Sequence, residues 1–370
     1  MKITCNKESL IKILTQTERV VSKNPALPVL SDVLISPFKN NNEIVISATN
    51  LDLGVNFLLK AKIEGEKKKI AIKAGALAQF LSNISTEREV LLEIEGNTLA
   101  VKTKSGNAKF AGSEAEDFPV INKLDSEPIV SLEAIKITEG IKSVIYSVSN
   151  SQIKPELAGV FVYLTGDDLV FVSTDSFRLA EKKIKIKKPK EDFDGFIIPT
   201  KNILEIGRVL EGEEGIFDIR VGGGQVSFSK EGVYLVSRSV EGNFPDYKQI
   251  IPKEQKTEAV FLKEDLVRSL KASTVFSDSF NQITFCFKPK EKSVEISSKN
   301  SGVGEGDIKI SSALSGEDIQ IGFNHKYIVD CLGSIKSDSV SVFLFGVGKP
   351  AILRGVSDSS FMYLVMPMNR

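Results

Sequence analysis

Along this chain, short runs with an apolar residue at every second position are interrupted six times by segments whose apolar residues recur at every third or fourth position. The first spacing belongs to half-buried strands and the second to one-sided helices. Three helical segments share one form: "ESLIKILTQTERVVS" from Glu8, "LEAIKITEGIKSVIYSVS" from Leu132 and "KEDLVRSLKASTVFS" from Lys263. Their pairs Leu10/Leu14, Ile137/Ile141 and Leu266/Leu270 stand at i, i+4 on one helix face. The other three follow a short strand and a polar turn: "IAIKAGALAQFLSNI" from Ile70, "FIIPTKNILEIGRVL" from Phe196 and "IQIGFNHKYIVDCLGSI" from Ile319. In the first of these, Leu77, Phe80, Leu81 and Ile84 are predicted to share a face.

The two kinds of segment alternate, which makes the chain a threefold repeat. Strands that end in a polar pair keep the same beat of about 125 residues: "EIVISATN" closing on Thr49-Asn50, "LVFVSTD" on Thr174-Asp175 and "SVEISSKN" on Lys299-Asn300. Pro-bearing polar connectors, "DFPVINKLDSEP" and "NFPDYKQIIPKEQKTE", separate the copies. The expected domains are therefore 1–124, 125–253 and 254–370, each an α+β unit of two helices packed on antiparallel strands.

Composition adds exclusions rather than a partner. The 370 residues are 42% hydrophobic and 26% charged, as in globular proteins, and 48 basic side chains balance 48 acidic ones, so any charged surface must come from their distribution. Cys5, Cys286 and Cys331 are odd in number and far apart, which argues against a disulfide framework or a zinc knuckle. "MKITCNKESLIKIL" is broken by Asn6, Lys7 and Glu8, unlike a signal peptide, and no run approaches the ~20 apolar residues of a membrane span. A reducing cytoplasm is the expected location.

Patterns of catalysis fail in context. His325, the single histidine, has no nucleophile pattern nearby and reads as structural. Gly302, Gly304 and Gly306 run into a strand-like stretch instead of opening a helix, so they read as a hairpin and not a phosphate loop. "VGGGQVSF" from Val221 reads as a β-turn and "EGEEG" from Glu211 as a solvated turn rather than a metal site. No catalytic residue, metal site or cofactor is expected, and a binding or scaffolding protein is favoured. A nucleotide-dependent enzyme using the Gly302–Gly306 loop and a β-rich structural repeat protein remain as alternatives. The closing "MYLVMPMNR" is apolar where termini are usually polar, which implies that it is docked or awaits a partner.

"NPALPVLSDVLI" (Asn24–Ile35), "KPELAGVFV" (Lys154–Val162), "STDSFRLA" (Ser173–Ala180), "GNFPDYKQIIP" (Gly242–Pro252), "IGFNHKYIVDCL" (Ile321–Leu332) and "YLVMPM" (Tyr363–Met368) stand in an order and spacing that resembles the bacterial DNA polymerase III beta-subunit family, the sliding clamps, over essentially the whole chain. The resemblance implies a non-enzymatic processivity factor for DNA replication. Each chain would form half of a ring, and a head-to-tail homodimer would encircle double-stranded DNA without reading sequence.

It also implies site residues. Replicative polymerase, clamp loader and repair factors would dock short peptides in an apolar groove formed by Leu157, Thr174, Ser176, Phe177, Arg178, Leu179, Pro245, Ile250, Leu364, Met366, Pro367 and Met368. Tyr363 to Val365 would complete a sheet while Met366 to Met368 face the groove. Lys201, in "PTKN", leads the DNA-facing cations, with Lys12, Arg19, Lys23, Lys142, Lys154, Arg208, Arg268, Lys271 and Lys326 behind it. The first repeat departs here, because "KAGA" leaves Gly75 and Ala76 without a cation. Val275 and Phe276 would meet Phe110 of a second copy.

Overall fold

The computed structural model describes residues 1–22, 27–38, 42–84, 88–151, 153–187 and 193–368. Among them six α-helices recur in pairs: α1 (Lys7–Glu18), α2 (Ala74–Asn83), α3 (Ala134–Val144), α4 (Thr200–Glu211), α5 (Lys263–Ser273) and α6 (His325–Leu332). Each third of the chain runs strand, helix, several strands, helix, three strands. Between its helices the last third adds one short strand, Ala313–Gly316.

Local chemistry sets the helix limits. The Asn6 side chain accepts from the Ser9 amide at 2.9 Å and the Asn324 side chain from the Lys326 amide at 3.0 Å, so α1 and α6 each begin on an asparagine cap. Helix α1 buries Leu10, Ile13, Leu14 and Thr17. Helix α2 buries Ala74, Leu77, Ala78 and Leu81, whereas Phe80 is half-buried and Ile84 stands past the end in extended backbone. Small alanines at i, i+4 let the face turn away from Phe80, a shift that an apolar count cannot register.

The chain forms two compact units, Met1–Ile137 with Lys201–Ser239 and Thr138–Thr200 with Val240–Arg370. All pairing is antiparallel, and each sheet lies within one unit. In the first unit the sheet order is Asn107–Ala111, Thr98–Lys102, Glu89–Glu95, Lys2–Asn6, Leu53–Glu64, Val233–Arg238, Gln225–Lys230, Ile216–Gly222, Val130–Glu133. Strand Glu43–Thr49 branches from Leu53–Glu64 and carries Val33–Pro37 and Ile70–Ile72.

In the second unit a nine-stranded sheet runs Phe196–Pro199, Gly159–Thr165, Asp168–Thr174, Arg178–Lys185, Asp358–Val365, Ala351–Gly355, Ser339–Leu344, Thr257–Leu262, Ala313–Gly316. A separate sheet runs Gly304–Ser311, Ser293–Asn300, Gln282–Lys288, Ile319–Asn324.

The polar pairs of the repeated strands form turns. Thr49 Oγ1 donates to the Leu53 carbonyl at 3.0 Å, Asn50 Oδ1 accepts from the Leu53 amide at 2.8 Å, and Leu51 takes φ 76°. Thr174, Asp175 and Ser176 repeat the arrangement, with φ again 76° at Ser176. Side-chain acceptors that satisfy the turn amides stabilise a left-handed non-glycine residue in both. "VGGGQVSF" is the expected hairpin turn, with Gly223 and Gly224 at φ 58° and 70°. Gly302 lies in the hairpin between Ser293–Asn300 and Gly304–Ser311, as its strand-like surroundings imply.

Candidate functional site

The candidate groove residues all belong to the second unit. Strand Asp168–Thr174 turns through Asp175–Phe177 into Arg178–Lys185, and the Asp175 carboxylate accepts from the Phe177 and Arg178 amides at 2.9 Å each. That turn pushes Phe177 outward, where it is 61% exposed. The Arg178 guanidinium is held by Asp175 at 3.0 Å and Asp330 at 2.6 Å, and lies 4.3 Å from the centre of the Tyr327 ring. Two carboxylates and an aromatic face fix the arginine in one geometry.

The C-terminal strand pairs with the same element, so that Leu179 lies opposite Leu364 and Arg178 opposite Val365. Beyond the strand, the Met366 amide donates to the Phe177 carbonyl at 2.8 Å and the Met368 amide to the Gly322 carbonyl at 2.9 Å. Met366, Pro367 and Met368 are half-buried along this path. An open cavity of about 460 Å³ borders Pro367 and Met368, lined also by Gln282, Thr284, Gly322 and Val347.

Leu179, Leu364 and Met366 share one apolar cluster with Tyr163, Val170, Val172 and Tyr247. Leu157 is buried in the short turn Pro155–Leu157, Thr174 is buried and bonded to the Arg178 carbonyl, and Ser176 and Pro245 are exposed. Ile250, 52% exposed, stands on the connector outside that cluster. Phe244 stacks on Phe161 at 4.9 Å, which anchors the connector beside Pro245. Below it, the hydroxyls of Tyr163 and Tyr247 are 2.8 Å apart and Tyr247 donates to Glu181. Burial, followed by the negative charge of Glu181, raises the Tyr247 phenol far above its ordinary range.

Sequence reasoning missed Tyr327 and Asp330, the outer partners of Arg178. Their spacing in "HKYIVDCL" places both in α6, but nothing local tells that this helix meets Arg178.

The candidate DNA-facing cations are distributed over the helices. Arg19 caps α1, Lys142 lies in the last turn of α3, Lys201 and Arg208 lie in the first and last turns of α4, Arg268 and Lys271 in α5, and Lys326 in the first turn of α6. All are exposed, as is Lys154 before the Pro155–Leu157 turn. Arg208 pairs with Glu205 and Arg268 with Asp265. Lys12 is tied to the Gly212 carbonyl at 2.6 Å and to Glu213 at 2.8 Å, and Glu213 also meets Lys230 at 2.7 Å. The "EGEEG" turn thus contains a largely buried carboxylate bridging two lysines. Lys23 and the Asn369-Arg370 ending lie outside the described residues.

Val275 is 61% exposed, and the Phe276 ring rests against Gly306 of the edge strand Gly304–Ser311, where a Cβ would come within 2.7 Å of it. Phe110 lies on the other sheet's edge strand and packs edge-to-face on Phe80 at 5.7 Å. His325 is buried at the start of α6, 3.4 Å from the Ser277 hydroxyl, and burial lowers its pKa. No cluster of three or more potential metal ligands, and no helix long and apolar enough to cross a membrane, occurs among the described residues.

Three family models match the chain: DNA polymerase III beta subunit, N-terminal domain over residues 1–122, central domain over 131–246 and C-terminal domain over 248–369. The "Beta sliding clamp" of Bacillus subtilis is 25% identical, with 100% of this chain and 99% of that protein covered. That of Synechococcus elongatus is 26% identical at the same coverage. The DNA polymerase III beta subunit of Thermotoga maritima superposes with a TM-score of 0.93 at 25% identity, covering 100% and 99% of the two chains. The Pseudomonas aeruginosa subunit gives 0.93 at 24% identity over the full length of both.

Proposed function

The chain belongs to the DNA polymerase III beta subunit family, and from that premise we propose that two copies close head to tail into a ring around double-stranded DNA and tether the replicative polymerase to it. It is a three-domain clamp chain and a processivity subunit rather than an enzyme. The domain boundaries we assign are 1–124, 125–253 and 254–370, and the cytoplasm is its place of work.

The observation that carries the ring is the fate of the last strand in each third. In the second third this strand, Val233–Arg238, pairs with Leu53–Glu64 of the first. In the third it is Asp358–Val365, which pairs with Arg178–Lys185 of the second. The strand in the corresponding place of the first third, Asn107–Ala111, is left at a sheet edge. So is Gly304–Ser311, which corresponds in the last third to Leu53–Glu64 and Arg178–Lys185. One junction made twice within the chain leaves one edge of each kind, and a second copy supplies the missing partner for both. Such a heterologous contact closes after two chains, which also covers edges that would otherwise template aggregation.

Helix lysines such as Lys201, Lys271 and Lys326 then meet phosphates, giving salt-sensitive contact without base reading. The exposed Phe177 and Ile250, with Met366–Met368 along the tail, receive apolar anchors of short peptides from polymerase, clamp loader and repair factors. Methionine adapts its shape to several such partners.

Sedimentation of the wild-type chain and of Phe276→Asp tests the ring. The wild type should sediment at twice the chain mass and the variant as a monomer, because a carboxylate at the seam is desolvated without a partner. Clamps loaded on circular DNA should be released when the circle is cut and retained when its sequence is changed. A monomeric wild type, or retention on linear DNA with free ends, refutes the reading.

A further inference from the structure

We propose that the first unit carries a second peptide site, an open cavity that takes an aromatic side chain flanked by carboxylates, at the place where the second unit fills the corresponding space with its own tyrosines. The cavity measures about 780 Å³, within the ~300–1,000 Å³ of ligand pockets. Its floor is the face of three paired strands, on which Ser36 lies opposite Val45 and Ser47 opposite both Leu34 and Asn56.

The strand ladders make the comparison residue by residue. In the second unit Tyr163 lies opposite Val170, and Val172 opposite both Phe161 and Glu181. Counting from the matched turns at Thr49 and Thr174, Ser36 therefore occupies the place of Tyr163, Leu34 that of Phe161, and Asn56 that of Glu181. On the connectors Phe118-Pro119 answers to Phe244-Pro245, and Ile121 to Tyr247. Phe118 is buried in an apolar cluster against which Leu34 packs, while Phe244 stacks on Phe161, so an aromatic anchor on the connector is kept.

What is lost is the filling. The two tyrosines and the carboxylate that bond to one another in the second unit become serine, isoleucine and asparagine in the first. Val170 is fully buried, whereas Val45, Leu34 and Asn56 remain partly exposed.

The vacant chemistry and the rim charge point to the same occupant. An aromatic ring restores the packing over Val45, and the Ser36 hydroxyl and Asn56 amide offer hydrogen bonds to a phenol or carboxylate. Lys67, Lys68 and Lys69 stand on the rim, with Glu116 the one acid among the described lining residues. Lys68 also meets Glu66 at 3.3 Å. This surplus of cations favours an acidic peptide over a neutral one and steers its approach.

Fluorescence anisotropy with a labelled Glu-Asp-Tyr-Phe-Asp-Glu peptide tests the site on the full chain. The wild type should bind it saturably, and a peptide with lysines for the acids should not bind. Ser36→Tyr, which rebuilds the filling seen at Tyr163, should weaken binding by about tenfold or more. Lys69→Glu should weaken it by about threefold to tenfold and flatten the salt dependence. That exposed position provides a readout independent of folding. Deleting the Met366–Met368 tail should leave this affinity unchanged. Equal affinity in Ser36→Tyr and Lys69→Glu, loss of binding on tail deletion alone, or no saturation up to about 1 mM peptide would overturn the proposal.

Discussion

Leu179 and Leu364 face each other across the antiparallel pair that joins Arg178–Lys185 to the C-terminal strand, and both are buried to within 1% of full exclusion. The pair is first a seam between the second and third repeats and only then the floor beneath the candidate groove.

Stability and peptide docking are therefore separable by position. Leu179→Ala should cost about 2–5 kcal/mol of stability from the cavity it leaves. Ile250→Ala, at an exposed position, should change stability by no more than about 0.5 kcal/mol while weakening an apolar peptide. Deleting Met366 to Met368 removes half-buried apolar surface and the bonds to Phe177 and Gly322, and should weaken the peptide by roughly a hundredfold while the dimer persists. Anisotropy with a Gln-Leu-x-Leu-Phe-type peptide, run beside a sizing column and a thermal melt, checks all three. Full affinity in the tail-deleted dimer would make "MPM" only the end of a strand.

A second prediction concerns acid. Lys182 is 2% exposed and meets Glu139 at 2.9 Å, the Ser360 hydroxyl at 2.7 Å and Asp358 at 3.8 Å, while Lys336 pairs with Glu139 at 2.8 Å. Burial by itself raises Glu139 and Asp358, but it is outweighed at Glu139 by the two lysines and at Asp358 by the Ser360 hydrogen bonds followed by the lysines, which leaves both carboxyls below their ordinary values. A depressed carboxyl stabilises the fold above its unfolded pKa of ~4, and the contribution is lost as pH falls through the lower folded value. The melting temperature should thus drop from about pH 5 downward. In Lys182→Met the drop should be smaller, from a starting stability lower by about 3–5 kcal/mol. Parallel acid profiles of the two proteins would contradict this.

Thiol chemistry supplies a third. Cys5 and Cys331 are buried and Cys286 is half-buried, all three free. Burial, reinforced by Glu89, pushes the Cys5 thiol up to about 12, and burial reinforced by Asp330 raises Cys331 as well. At pH 8 both remain protonated and enclosed, so a disulfide reagent should modify Cys286 first and the other two only with unfolding. Mass spectrometry after timed labelling reads the order. Early modification of Cys5 would refute it.

The apolar periods by themselves determined the six helices, the alternating strands and the threefold beat, because each is a local spacing that survives whatever the chain packs against. Caps and turns were equally local, as Asn6, Asn324 and the Thr49 and Thr174 turns illustrate. The groove proposed from the family motifs includes Leu179, Leu364 and Met366, three side chains that share one apolar cluster.

Tertiary structure alone decided which edges stay open, since strand pairing joins residues far apart in sequence. It paired Lys12 with Glu213, 201 positions away, a partner that helix spacing cannot show. It placed Tyr327 and Asp330 around Arg178. It also left the Ser36 face hollow while filling its counterpart with tyrosines. Local spacing reports which side of an element is buried, whereas the partner on that side is set by long-range packing.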